Sequence, residues 1–413
     1  MSIQFITFTF VNAKEAYRII YLTIAFFLRR FFHTIAGDTD LRPNTFTYNA
    51  VINTLAKSCE PGAAAKAENV LKNMVNRYTT GGVDDVKPTT INFNTVLDAW
   101  AKSRGGKAAA ERAEMILEWM NELYQSGCTE IICDTISYNA VIDSWARSDC
   151  EEGPERAEQI FNYMNLLQQK GSKVVHPDSY TYNSLINAWA KSGAEGAVYR
   201  AEKVFELMNR KYQEGDRNLK PNTRTHTSLI DAYAKSGEPY AAKKAEQILL
   251  TMQALFERTL DIEVRPNTHT ANAVMNACAF TKNDSNKTEA LDIAFRVFDW
   301  ISNQTDIHPD AYTFTIMLSV CSNLLPRHDR ATRFGHASLL FQKCCQSGYV
   351  NSYVLSKLKQ TITNEEFLSM MNYKRNASIS NLPKSWTKSV KHHNPRMSNK
   401  SRRHSSSSQQ YKR

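Results

Sequence analysis

The sequence PDSYTYNSLINAWAKS, at residues 177–192, is one copy of a phrase that recurs along the chain. Seven copies, spaced 45, 45, 44, 44, 45 and 43 residues apart, begin at Pro43, Pro88, Cys133, Pro177, Pro221, Pro266 and Pro309. Self-similarity at a fixed period of this size is typical of stacked supersecondary units that contact only their neighbours. The sequence therefore predicts a repeat array and not a single globular core.

Each copy contains two amphipathic patterns in succession. In the first copy, the apolar residues at i, i+3, i+4 and i+7 are Tyr48, Val51, Ile52 and Leu55, which is one face of an α-helix. We expect Thr45 to cap this helix. A second stripe with the same spacing follows at Ala67, Val70, Leu71 and Met74. The sequence thus predicts an all-α solenoid of about seven helix-turn-helix repeats.

The net charge of +10 comes from one end of the chain. Residues 372–413 contain eleven Lys or Arg and no Asp or Glu, which leaves 40 basic and 41 acidic residues elsewhere. A basic, serine-rich segment with few aliphatic residues is typical of disorder. We expect a disordered tail that either makes salt-sensitive contacts with phosphates or serves only solubility.

The first 36 residues are apolar and contain a single acid, Glu15. Their most apolar stretch, residues 19–28, is too short to cross a bilayer, so we expect no stable membrane insertion. An acid-poor, Arg-containing amphipathic start suits an organelle transit peptide. The apolar spacing of AKEAYRIIYLTIAF, from Ala13, equally suits a degenerate half-repeat that caps the array. Both interpretations of residues 1–36 stay open.

The first helix of each repeat also carries a polar stripe. In the first repeat the stripe is Asn49, Asn53 and Lys57, spaced four apart and therefore on one face. Five consecutive repeats end the stripe in a cation: Lys57, Lys102, Arg147, Lys191 and Lys235. Amides beside cations suit a polymer with one phosphate per unit. The alternative is that these residues only solvate an exposed face.

The first-helix sequences TYNAVINTLAK and TYNSLINAWAK resemble the pentatricopeptide-repeat family, whose first helix carries TYN-x-L-I-x-A-x-x-K. The resemblance covers residues 43–350. It implies a right-handed α-solenoid superhelix that binds single-stranded RNA at about one base per repeat. The chain then divides into residues 1–36, an array at 37–350, a C-terminal capping helix at 351–371 and the tail.

By the same resemblance, two residues select each base. The first follows the aromatic position of the first helix: Asn49, Asn94, Asn139, Asn183, Thr227, Asn272 and Thr315. The second follows the start of the next repeat: Thr89, Asp134, Asp178, Asn222, Asn267, Asp310 and, at the end of the array, Asn351. The five cations of the stripe match a phosphate-contacting position of the family.

The resemblance also implies which bases these pairs prefer. Asn with Asp favours uracil, Asn with Asn cytosine, and Thr with Asn adenine. From the 5′ end this gives UUCAU, extended by A if the last repeat takes part, while the pair of Asn49 and Thr89 has no assigned base.

Two features depart from the family pattern. The family period is 35 residues, whereas the spacing here is about 44, and we expect the surplus after the first helix and in a longer second helix. The residue that flanks the base is usually a small aliphatic. Here it is Phe46, Ile91, Ile136, Tyr180, Arg224, His269 and Tyr312, of which the aromatic ones could stack on bases.

We expect no catalysis, no cofactor and no small-molecule substrate. The residues after 350 are few, and the chain has no HxE…PCxxC deaminase signature, no phosphate-binding Gly-rich loop and no plausible triad. The eight cysteines lack metal-site spacing, so we expect them to be apolar fillers.

The expected partners are single-stranded RNA and organellar RNA-processing or translation factors, in the mitochondrion or alternatively the plastid. A different class of function is a peptide-binding scaffold like the tetratricopeptide arrays. Their W…LG…Y…A…F…P pattern is absent, and Trp100, Trp145 and Trp189 are expected to be core residues. The choice among RNA stabilisation, processing, editing and translation is open.

Overall fold

The computed structural model describes residues 43–58, 60–81, 86–371 and 382–390. The expectations for residues 1–36 and for most of the tail lie outside these ranges. Within them the chain forms α-helices, three short 3-10 helices and loops, without β-strands. It divides between Ser236 and Gly237 into two compact units, each described here by itself.

The first unit alternates between the first and the second helix of successive repeats. Its helices are α1 (Thr45–Ser58), α2 (Ala63–Gly81), α3 (Thr90–Lys102), α4 (Gly106–Gln125), α5 (Thr135–Ala146), α6 (Gly153–Gln169), α7 (Ser179–Ser192), α8 (Ala197–Gln213) and α9 (Thr223–Ser236). The first helices α1, α3, α5 and α7 each pack against their own second helix and against the first helix of the next repeat.

The second unit begins with the second helix of the fifth repeat. Its helices are α10 (Ala241–Thr259), α11 (Thr268–Ala279), α12 (Lys287–Ser302), α13 (Ala311–Leu324), α14 (Arg330–Ser347), α15 (Ser352–Thr361), α16 (Asn364–Met370) and α17 (Lys384–Thr387). The all-α class and the seven paired-helix repeats are confirmed. The second helices have 16 to 20 residues against 12 to 14 in the first helices, as the surplus in the period predicts.

The apolar stripes form the core of each unit. In five of the seven second helices one methionine is fully buried: Met74, Met120, Met164, Met208 and Met252. Aromatic rings pack between repeats, as where Phe161 meets Tyr182 edge to face at 5.0 Å between centroids. Trp145 and Trp189 are buried as expected, whereas Trp100 is half-buried.

A hydroxyl at the start of several first helices bonds to the backbone of the following repeat. Thr90 Oγ1 lies 2.8 Å from Ile132 N and 3.0 Å from Ile132 O. Thr135 Oγ1 lies 3.1 Å from both the N and the O of His176. Ile132 and His176 immediately precede the starts of the third and fourth repeats. This contact, which we call the hydroxyl clasp, therefore fixes the offset between repeats whatever the length of the second helix.

A buried carboxylate links the second helices. Glu68, at 3% exposure, accepts hydrogen bonds from Trp100 Nε1 at 3.0 Å and Arg112 Nε at 2.9 Å in the next repeat. One repeat later the same contacts join Glu114 to Trp145 and Arg156. We call this arrangement the glutamate clasp. The sequence signal for it is a recurring triplet, Lys-Ala-Glu at residues 66–68 and Arg-Ala-Glu at residues 112–114 and 156–158, which the sequence analysis missed.

The glutamate clasp keeps its carboxylate charged. Burial disfavours ionisation of Glu68, but hydrogen bonds from Arg112 and Lys72 outweigh it and lower the pKa of the carboxyl below its usual value. A buried charge left without its partners is costly, so these contacts are needed for burial of Glu68 between repeats.

The C-terminal end differs from expectation in two ways. Residues 351–371 form two helices, α15 and α16, and not one capping helix. Residues 382–390, expected to be disordered, pack on α14, where the Trp386 ring meets Phe341 at 5.7 Å and Val350 N donates to Trp386 O at 2.9 Å. The average composition of the tail concealed this single aromatic anchor. No helix among the described residues has the length and apolar character needed to cross a bilayer.

Glu68→Gln should destabilise the protein at neutral pH, because a neutral amide cannot balance Arg112 and Lys72. Since the folded-state pKa is lowered, the contribution is present above the ordinary glutamate pKa of about 4.3 and is lost as pH falls through the folded-state value. The gap between the urea midpoints of variant and parent should therefore close in acid. Glu118→Gln, exposed on α4, is the control. A gap that does not change with pH would contradict this account.

Trp386→Ala should release residues 382–390 while α13 and α14 stay folded, because the ring is the apolar anchor of this segment. We expect faster amide hydrogen exchange at Val350, whose N–H donates to Trp386 O. Ser385→Ala, an exposed change in the same segment, should leave the exchange slow. Unchanged exchange in Trp386→Ala would show that the segment is held by something else.

Candidate nucleic-acid interface

The residue after the start of each repeat is the N-cap of the first helix. Asp134 Oδ1 accepts from Ser137 N at 2.9 Å. Matching bonds of 2.8–3.1 Å are accepted by Asp178, Asn222, Asn267, Asp310 and Asn351. In the first repeat the cap is Asn44, so the expectation of Thr45 was wrong by one residue, because Thr45 is already helical. Residues predicted to select bases therefore also hold the helix starts.

Two of the predicted base-selecting pairs are joined directly. Asn94 Nδ2 donates to Asp134 Oδ1 at 3.1 Å, and Asn139 Nδ2 donates to Asp178 Oδ1 at 3.1 Å. In the first of these pairs, Ser137 Oγ also donates to Asn94 Oδ1 at 2.6 Å. The amide of one repeat is thus oriented by the cap of the next repeat. Each of the two pairs is a fixed unit at the junction between repeats.

The pair of Asn94 and Asp134 keeps unused hydrogen-bonding capacity. Asp134 Oδ1 accepts from Ser137 N at 2.9 Å and from Asn94 Nδ2 at 3.1 Å. Among the described residues, Asp134 Oδ2 has no hydrogen-bond donor, and the second N–H of Asn94 has no acceptor. Both residues are half-buried. The junction therefore presents an N–H donor beside a carboxylate acceptor.

The other residues predicted to select bases differ in their contacts. Asn183 and Asn272 are buried, and Asn183 Oδ1 and Asn272 Nδ2 are shielded from solvent without a hydrogen-bond partner among the described residues. Asn49 accepts from Asn92 Nδ2, and Asn272 accepts from Thr313 Oγ1 at 2.8 Å. A buried polar atom without a partner costs about 1–3 kcal/mol, so a ligand group that reached either atom would be stabilised.

The other residues predicted to select bases include three threonines, Thr227, Thr315 and Thr89. Thr227 and Thr315 are half-buried, and Thr315 Oγ1 donates to Ala311 O at 2.8 Å within its own helix. Thr89, also half-buried, donates its N–H to Asn92 Oδ1 at 2.9 Å. The Thr315 hydroxyl is therefore left mainly as an acceptor.

The flanking position is exposed in every repeat. Five large side chains are exposed there: Phe46, Ile91, Ile136, Tyr180 and Tyr312. Arg224 and His269 occupy the same position in the fifth and sixth repeats. The Arg224 guanidinium lies over the Tyr180 ring, 5.6 Å from its centroid. A regular row of exposed apolar side chains indicates a binding surface.

The cations of the stripe are exposed at the ends of first helices: Lys57, Lys102, Arg147, Lys191 and Lys235. Enclosure by neighbouring side chains, with Arg147 and Lys235 nearby, lowers the pKa of Lys191 from its ordinary value. Lys191 therefore lies within the electrostatic range of both neighbouring cations of the stripe. In the second unit, this position holds the exposed Phe280 and then Asn323, so the cation row belongs to the first unit.

Cys133 and Cys321 are buried in the core. Among the described residues, no group of three or more His, Cys, Asp or Glu could hold a metal ion. Burial raises the pKa of Cys133 and Cys321 to about 12, so both stay neutral thiols. They fill apolar space, as the sequence predicts.

The chain is similar to solved structures of pentatricopeptide repeat proteins. No protein-family model matches the chain, and no curated protein matches it. Similar solved structures include that of the pentatricopeptide repeat protein PPR10 in complex with an 18-nucleotide psaJ RNA element, and that of a triple Cys-to-Ser variant of PPR10 with the same RNA element. Each has a TM-score of 0.39 and 18% identity, with 88% of this chain and 43% of that chain covered. The chain thus spans less than half the length of these proteins.

Asp134→Ala should lower the free energy of unfolding by about 1 kcal/mol, because the N-cap of α5 is lost. Asp134→Asn should have an effect of only a few tenths, since Asn267 caps α11 with the same geometry. Urea unfolding of both variants beside the parent measures the difference. Equal destabilisation by Ala and Asn would mean that the charge at Asp134, and not its capping bond, stabilises the junction.

Proposed function

We propose that this chain binds single-stranded RNA sequence-selectively along its first helices, with one base at each junction between repeats. The observation that carries the proposal is the pair geometry at two consecutive junctions. Asn94 with Asp134, and Asn139 with Asp178, each place an amide donor beside a carboxylate acceptor. These groups recur with the repeat, as the bases of an extended strand do.

Three rows of side chains match the edge of a base, the face of a base and the phosphate. The junction pairs present hydrogen-bonding groups to a base edge. The exposed flanking residues offer surfaces on which a base can stack, at about 1–3 kcal/mol per base for an aromatic platform. The cations at the helix ends can neutralise phosphates. A peptide ligand would have no use for a cation row in step with the repeat.

The Asn–Asp junctions favour uracil. The Watson–Crick edge of uracil has the O4 acceptor next to the N3–H donor. The spare N–H of Asn94 can donate to O4, and Asp134 Oδ2 can accept from N3–H. Cytosine has an acceptor at N3, which would face the carboxylate unfavourably. An amide in place of the carboxylate removes that repulsion, which agrees with the cytosine assigned to Asn183 with Asn222.

The biological setting is part of the proposal. The first 36 residues suit an organelle transit peptide, so we place the protein in organellar RNA metabolism, in the mitochondrion with the plastid as the alternative. It would act there with RNA-processing or translation factors. We propose that it binds RNA without cleaving or modifying it, which incubation of labelled RNA with the purified protein would test.

A switch of base preference tests the proposal with little disturbance of the fold. Asp134→Asn should change the preferred base at the first position of UUCAU from U to C, because Asn keeps the cap but reverses the preference of the junction. Fluorescence anisotropy of the full chain would compare UUCAU with CUCAU. From one exchanged contact we expect a discrimination change of about 1–3 kcal/mol, roughly 5- to 150-fold.

Asp178→Asn is the matched control for register. It should leave the first position unchanged and move the preference at the second position, from UUCAU to UCCAU. Equal loss of affinity for all RNAs in both variants would contradict base reading. Binding of single-stranded DNA and duplex RNA as tightly as UUCAU would contradict RNA selectivity, and no nucleic-acid binding at all would favour the peptide scaffold.

A further inference from the structure

Two cations of the stripe are paired with acids on the same face. Lys102 Nζ lies 2.6 Å from Asp98 Oδ2, and Arg147 Nε lies 2.7 Å from Asp143 Oδ2. Each acid is one helical turn before its cation. The Asp143 side chain is almost fully buried, whereas that of Asp98 is half exposed. The middle of the proposed RNA surface therefore carries its own counterions.

Two other cations differ in this respect. Asn53 and Asn187 stand one turn before Lys57 and Lys191, and among the described residues neither lysine has an ion pair. Burial lowers the pKa of Lys191, and repulsion from Arg147 and Lys235 lowers it further, while Asp143 and Asp149 oppose them. A phosphate beside Lys191 would relieve that repulsion. The row thus contains two consecutive cations held by carboxylates, Lys102 and Arg147, and two cations with an amide one turn before them, Lys57 and Lys191.

The acids lie within the proposed interface and not beside it. Partial enclosure of its ring raises the pKa of Tyr180, one of the flanking residues. The charges of Asp143 and Asp98 raise this pKa further, while Arg224 and Arg147 oppose them. Arg224 also stacks over the Tyr180 ring. A strand passing this row would therefore meet both acids.

We propose that Asp98 and Asp143 determine specificity by acting as internal counterions that compete with RNA phosphates for Lys102 and Arg147. This inference rests on the proposed RNA binding. A phosphate that approaches either cation must displace a carboxylate that also repels it, so contact with the backbone alone gains little there. Tight binding then depends on the base contacts at the adjacent junctions, and sequences without them are rejected.

The test compares the full-length parent with the double variant Asp98→Asn, Asp143→Asn, which keeps side-chain shape and removes two charges. Affinities for UUCAU and for a scrambled RNA are measured over a range of salt concentrations. We expect the scrambled RNA to bind several-fold more tightly and the preference for UUCAU to fall. The salt dependence should steepen by about 1.4 in log–log slope, at about 0.7 for each phosphate newly contacted.

Two further variants separate this effect from general electrostatics. Glu118→Gln with Glu206→Gln makes the same change of net charge on exposed faces of second helices, and should alter affinity less and leave the slope unchanged. Asn187→Asp places an acid one turn before Lys191, and should weaken binding of every RNA and flatten the salt dependence. Urea midpoints establish that all variants are folded.

The outcomes distinguish this inference from the function on which it rests. If the parent binds UUCAU selectively but the double variant matches the second-helix control in affinity and slope, the counterion role is overturned and RNA binding stands. If the parent binds no RNA, the proposed function fails and the inference fails with it. A relaxed preference together with a steeper slope supports both.

Discussion

The side chain at the start of each first helix is the constraint on which the rest of this structure depends. At Asp134 one carboxylate oxygen caps α5 and also receives the Asn94 amide of the preceding repeat. A helix start and a junction between repeats are thus fixed by the same atom. The next junction repeats both contacts, because Asp178 Oδ1 caps α7 and receives the Asn139 amide.

The long period is accommodated away from these junctions. The hydroxyl clasp ties the first residue of one first helix to the residue just before the next repeat, as Thr135 does with His176. The glutamate clasp ties consecutive second helices, as Glu68 does with Arg112. The extra residues lie between these two contacts, so they lengthen the second helices without altering how the first helices meet.

The sequence predicted those parts of the structure that follow from periodicity. Ile52 and Met74, from the two apolar stripes of the first repeat, are buried. The paired helices lie where the spacing indicated. Periodicity does not reveal which polar groups bond to one another. Asp98 and Lys102 are four residues apart in the sequence, but only the side-chain conformations show that they form an ion pair. Composition likewise concealed the docking of Trp386.

In the proposed site, too, the repeat period predicts the positions of the residues but not their contacts. The positions of the candidate readers follow from the repeat, whereas their burial, as at Asn183, and their bonds to caps follow from packing. The groups proposed to read bases are therefore also structural groups. A side chain with both roles should be tested by substitutions that keep its capping bond.

The measurement that tests the central claim most directly is the dependence of affinity on RNA length. Oligonucleotides that contain UUCAU would be shortened one nucleotide at a time, at salt high enough to suppress contacts of the basic tail. The account predicts that affinity rises with each added nucleotide and levels off at about seven, one for each repeat. Affinity that does not depend on length, or that keeps rising with every added phosphate, would contradict one base per repeat.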